Sequence, residues 1–164
     1  MEVGKKKVYI ETSIVSYLTA RPTNDLLVAA RQKATIDWWD TRRNWFDLYT
    51  SGVVIEEARE GDPNAAVRRL DALRGIPILE ATDEAVAFAK ALIEKGALPT
   101  KALGDSLHAA IATAHELDYL LTWNYRHLDN AEMKPVIRSV CAIHGFACPE
   151  ICTPLELMGE TENG

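Results

Sequence analysis

Lys7-Val8-Tyr9-Ile10-Glu11-Thr12-Ser13 decides the fold. A short apolar run ends on one carboxylate, two hydroxyl residues follow, and a helical pattern begins. Val, Tyr and Ile in succession favour a strand, and Thr12 or Ser13 is a candidate helix cap. A strand that runs into an acid and then a helix start places that acid at the C-terminal edge of a parallel sheet. Ligands of open α/β sheets collect at that edge.

Moving outward, the pattern repeats. Phe46-Asp47-Leu48-Tyr49-Thr50-Ser51 alternates as a second strand, and Ser51 can cap a helix carrying Glu56 and Glu57. Asp62-Pro63 opens another helix, which ends at Gly75. Ile76–Glu80 is a short strand, and Pro77 puts it at an edge. Thr82 caps a helix from Asp83 to Lys95. A further helix spans about Lys101–Glu116, with Leu103, Leu107, Ala110, Ala114 and Leu117 as its apolar stripe. Small residues on its other side, Ala109 and Ala112, imply a second close neighbour. Asp118–Thr122 is a continuous apolar strand suited to a covered sheet. Helix 131–144 and a short strand at Ile151-Cys152 complete the series. Strands separated by helices predict the α/β class: a three-layer α/β/α sandwich around a mostly parallel sheet of four to five strands.

The chain has 164 residues, 48% hydrophobic and 26% charged, enough for one domain with a real core. No run approaches a membrane span, and the apolar run after Lys5-Lys6-Lys7 is too short for a secretory leader, so a cytoplasmic protein with no membrane partner is expected. A net charge of −6 argues against broad non-specific binding to nucleic acid. It leaves room for an acidic site that turns locally cationic on binding metal. Cys141, Cys148 and Cys152, with His144 among them, form no disulfide framework. Their spacing suits buried small apolar residues better than zinc ligation.

Four polar groups share the sheet edge in this reading. Glu11 follows strand 1, Glu57 lies in the helix after strand 2, Asp105 in the helix feeding the fourth strand, and Asn124 just beyond that strand. Glu56 and Glu57 lie about 100° apart on a helix, so one of them faces the site; the spacing from Ser51 favours Glu57. Carboxylates converging on one edge repel one another unless a divalent cation joins them. Oxygen ligands select a hard ion, Mg²⁺ or Mn²⁺.

The segments Tyr9-Ile10-Glu11-Thr12-Ser13, Ser51-Gly52-Val53-Val54-Ile55-Glu56-Glu57, Asp105-Ser106-Leu107-His108-Ala109-Ala110-Ile111-Ala112 and Leu120-Leu121-Thr122-Trp123-Asn124 resemble the four acidic motifs of PIN domains, most closely those of VapC-type toxins. The resemblance, over about residues 7–158, implies one PIN-like domain at 1–158, and the terminal position of 159–164 makes a flexible tail expected there. It implies a metal-dependent ribonuclease, the toxin of a type II toxin–antitoxin pair, with RNA as substrate, an antitoxin as partner, and a homodimer. Position by position, it makes Glu11, Glu57, Asp105 and Asn124 catalytic. Glu11, Asp105 and Asn124 are then the metal ligands, and Thr12, Ser13, His108 and His127, from their placement near these motifs, are candidate substrate contacts.

This chain departs from the family pattern twice. Glu11 stands where Asp is usual, moving the carboxylate by roughly 1.5 Å. Asn124 stands where an acid is common and contributes no charge, with Asp129 as a neighbour able to compensate. A PIN-like module that binds RNA or a protein without efficient catalysis is the alternative. A receiver-like domain also places acids after strand 1, but this sequence lacks a matching late-strand lysine.

Overall fold

β1 (Lys6–Ile10) is the middle strand of a five-stranded, all-parallel sheet with the order β3-β2-β1-β4-β5. In the computed structural model, which describes residues 4–160, β1 leads through α1 (Thr12–Thr19) and α2 (Leu26–Thr41) to β2 (Phe46–Ser51). Next come α3 (Gly52–Ala58), α4 (Pro63–Leu73), the edge strand β3 (Ile78–Leu79), α5 (Asp83–Glu94) and α6 (Leu103–Ala114). β4 (Tyr119–Leu121), α7 (Lys134–Ile143) and β5 (Glu150–Cys152) complete the order.

The strand order explains the layers. From β1 to β3 the chain travels one way across the sheet; after β3 it returns past β1 and continues outward. Right-handed crossovers place the helices of the two journeys on opposite faces. Accordingly, α1 packs against α2, α3 and α4, whereas α5 packs against α6 and α7. With both faces covered, Val8, Tyr9 and Ile10 are all buried, and so are Leu120 and Leu121. The direction of travel reverses between β1 and β4, which opens a crevice at their C-terminal ends.

The α/β/α expectation holds, and the sheet is wholly rather than mostly parallel. Pro77 precedes a true edge strand, which is only two residues long. Helix α6 differs from its predicted stripe. Leu103 is exposed, while His108 to Thr113 are all buried, because α5 covers the small-residue side that Ala109 and Ala112 leave low. Helix α7 starts at Lys134 rather than 131, after a run of turns. Of the expected tail, 161–164 lie outside the described residues. Gly159, at φ 73°, abuts the Arg42 guanidinium. Among the described residues no helix is long and apolar enough to cross a membrane.

Candidate active site

The helix after β1 is capped by Glu11 itself, not by Thr12 or Ser13. Glu11 Oε2 accepts from the Ser13 N–H at 3.0 Å, satisfying an orphan donor of the first turn. Its Oε1 accepts from the hydroxyls of Ser13 and Thr122, each at 2.5 Å. Thr122 follows β4 directly, and the Glu11 N–H extends the β1–β4 ladder to Leu121 O. Strand pairing thus delivers this acid, buried at 5% exposure, into the crevice.

Glu57 reaches the same place from α3. Glu56 points outward and pairs with Arg59, so the choice between the two acids falls on Glu57. Glu57 Oε1 accepts from Thr12 Oγ1 at 2.7 Å and lies 2.5 Å from His108 Nε2. His108 is fully buried on α6. Its Nδ1 is 2.7 Å from the Tyr9 hydroxyl, which is 2.7 Å from Ser51 Oγ. Thr12 and Ser13 hold the two carboxylates.

The structure therefore brings Glu11 together with Glu57 and His108: one ligand atom from each lies within 4.8 Å of the others, the one such cluster among the described residues. Asp105 and Asn124 form an adjoining group. Asn124 Nδ2 donates to Asp105 Oδ1 at 3.0 Å, and His127 Nδ1 lies 2.7 Å from Asp105 Oδ2. The His127 N–H donates to Asn124 Oδ1 at 3.0 Å, which fixes the loop. Asp129 is taken by Lys134 at 2.7 Å and does not join either group. His115, farther along α6, bonds Glu80 O. Cys141 and Cys152 are buried, and burial pushes the Cys152 thiol up to about 12, so it is an inert core group.

Electrostatics tie His108 to the acids. Burial pulls its imidazole down, but the hydrogen bond to Glu57 and the charges of Glu11, Glu57 and Asp105 outweigh this and raise its pKa. Burial pushes Glu57 up, yet the His108 hydrogen bond and charge, with Thr12, hold it below the ordinary value. Burial raises the Tyr9 phenol far out of reach of titration, leaving a neutral hydroxyl.

The signs set a pH window for the metal-free chain. The raised His108 contributes stability fully below its unfolded value of 6.5 and loses it as pH rises through the folded value. The lowered Glu57 contributes fully above 4.5 and loses it as pH falls. In EDTA, the difference in Tm between wild type and Glu57→Gln is expected to peak between these two values. A difference that stays constant from pH 3 to 9 (roughly the span in which both groups titrate) would show that the pair is not ionic.

An aromatic group, unseen in the sequence because Tyr17 and Arg31 lie far from Trp123 and Tyr125, borders the crevice. Tyr17, Trp123 and Tyr125 meet edge to face at 6.0 and 6.1 Å between ring centres. The Arg31 guanidinium lies 4.8 Å from the Tyr125 ring centre. Tyr125, next to Asn124, is 42% exposed. Of the tryptophans before β2, Trp38 is core and Trp45 is exposed beneath Arg42.

No protein-family model and no curated protein sequence matches the chain. Solved structures do. VapBC2 from Rickettsia felis, solved bound to a DNA fragment from its promoter, aligns over 90% of this chain and 98% of its own, with 13% identity and a TM-score of 0.56. VapC20 from Mycobacterium tuberculosis, described as a sarcin-ricin loop cleaving toxin, aligns over 85% of this chain and 96% of its own, with 15% identity and a TM-score of 0.54. At these identities the shared property is architecture, and the chain adopts the PIN-like α/β/α fold of the VapC toxins.

Proposed function

We propose that this protein is a metal-dependent ribonuclease that hydrolyses RNA phosphodiester bonds. In this reading it is the toxin of a type II toxin–antitoxin pair, acts in the cytoplasm as one domain over residues 1–158, and pairs with an antitoxin and a second copy of itself. The observation that carries this reading is the convergence of Glu11, Glu57 and His108 in the crevice between β1 and β4, in a fold shared with VapC toxins.

The donor set fits a divalent cation. Glu11 Oε2 accepts one hydrogen bond and Glu57 Oε2 accepts none among the described residues, so both carboxylates keep lone pairs able to bind a cation. Glu11 and Glu57 would hold Mg²⁺ or Mn²⁺, with Asp105 and Asn124 bounding the site. Such an ion, when bound, lowers the pKa of a water and offsets charge on the phosphoryl oxygens. Ser13, Thr122 and Thr12 hold the carboxylates at fixed angles. Glu57 accepts the proton of the attacking water as its oxygen bonds to phosphorus and the opposite P–O bond breaks. Asp105, gripped by Asn124 and His127, bounds the site. Tyr125 and Arg31 offer a ring face and a cation to a neighbouring nucleotide.

Purified protein is expected to cleave single-stranded RNA in Mn²⁺ or Mg²⁺ and to leave it intact in EDTA. A second reading rests on the Glu57–His108 contact of 2.5 Å, which can neutralise the site without metal. The chain would then be a binding module. RNA that stays intact in both conditions, with no Mn²⁺ binding by calorimetry, supports that reading and removes the first.

A further inference from the structure

We infer that His108 is a direct ligand of the cation, giving the site a mixed nitrogen–oxygen shell that prefers Mn²⁺ over Mg²⁺. The inference rests on the metal-dependent reading above. The sequence predicts oxygen ligands alone; the structure inserts an imidazole between the two best-placed carboxylates. His108 Nε2 lies 2.5 Å from Glu57 Oε1 and 4.0 Å from Glu11 Oε2.

The other side of the ring is built as a metal-binding histidine needs. Ligating histidines almost always give their second ring N–H to a fixed partner, which sets the tautomer and orientation. Here that partner is the Tyr9 hydroxyl, which is in turn in hydrogen-bond contact with Ser51 Oγ, each contact 2.7 Å long. With protons ordered from Nδ1 to Tyr9 and from Tyr9 to Ser51, Nε2 is left as a bare lone pair directed at the acids. That ordering needs only hydroxyl protons to reorient; no heavy atom moves. The ring has no solvent exposure, and Tyr9 packs edge-on to it at 5.7 Å. Nε2 and Glu57 Oε1, 2.5 Å apart, share a proton in the metal-free chain; that proton would have to leave, and the two atoms separate, for both to hold one cation.

The choice of metal follows from ligand chemistry. Mg²⁺ demands near-ideal octahedral oxygen coordination and parts reluctantly with water. Imidazole nitrogen suits the later first-row ions best, and Mn²⁺, the weakest binder of that series, still accepts it more readily than the hard, strongly hydrated Mg²⁺. One buried imidazole beside two carboxylates therefore tilts the site toward Mn²⁺. Tyr9 acts as a positioning residue through His108. The rival role for His108 is a protonated internal counter-ion that replaces the metal.

The test is pulsed EPR of the full chain loaded with Mn²⁺, together with calorimetry of Mn²⁺ and Mg²⁺. Nitrogen modulation is expected on the Mn²⁺ signal, retained in His127→Gln and lost in His108→Gln. Mn²⁺ should bind more tightly than Mg²⁺, and His108→Gln should collapse that preference. Tyr9→Phe should weaken Mn²⁺ binding by about 10–100-fold, the usual effect of losing an outer-shell partner. Mn²⁺ bound without nitrogen modulation overturns the role of His108 and leaves the metal-dependent reading standing. No Mn²⁺ binding at millimolar concentration overturns both. Should His108→Gln not fold, modulation in wild type that survives in His127→Gln decides for His108, and its loss there decides against.

Discussion

Asp105→Asn is expected to slow RNA cleavage by at least about 100-fold in single-turnover assays, with the fold intact. Removing one preorganised electrostatic group from such a site costs about 10²–10³-fold. Asp105 accepts from Asn124 Nδ2 and from the His127 side, so both its oxygens face donors. An amide keeps the shape but turns one acceptor into a donor aimed at another donor. It also removes a negative charge that acts on His108. Glu56→Gln, on the exposed side of the same helix as Glu57, is the control and should leave the rate unchanged. An unchanged rate in Asp105→Asn would place the reaction elsewhere.

The second large effect is on stability. Trp38→Ala is expected to cost about 3–5 kcal/mol by chemical denaturation, a large part of the about 5–15 kcal/mol that holds a domain together. Trp38 has no solvent exposure and stacks on Phe46 at 5.8 Å, pinning α2 to the start of β2. Its Nε1 is buried without a partner among the described residues, so Trp38→Phe should cost much less than the lost area suggests. Trp45→Ala should change little, since that ring is 66% exposed. Equal losses at Trp38 and Trp45 would contradict this division of a tryptophan cluster that looks uniform in sequence.

Much of the fold is legible because it rests on local rules. Alternating apolar strands and capped helices give the α/β order. Pro77 marks an edge, since proline cannot donate to a ladder. Glu57 is separable from Glu56 by helical geometry alone. Glu11, Asp105 and Asn124 are legible as edge residues because each sits at a strand end or near a helix start. Cap assignment at the first helix fails for a physical reason: a Glu carboxylate one residue earlier reaches the same Ser13 N–H that a hydroxyl would serve.

The sequence by itself determined the class of fold, the edge where polar groups gather, and the acids that gather there. Periodicity and turn chemistry act over a few residues, and the sequence displays them. Tertiary structure alone decided how those residues divide into partners. Tyr9, Ser51, Glu57 and His108 come from four elements and meet only because β1 lies beside β2 and α3 meets α6. The same packing sends Asp105 to Asn124 and His127, while a buried histidine joins Glu11 and Glu57. Side-chain direction in a shared crevice depends on sheet order and register, and no local pattern encodes either.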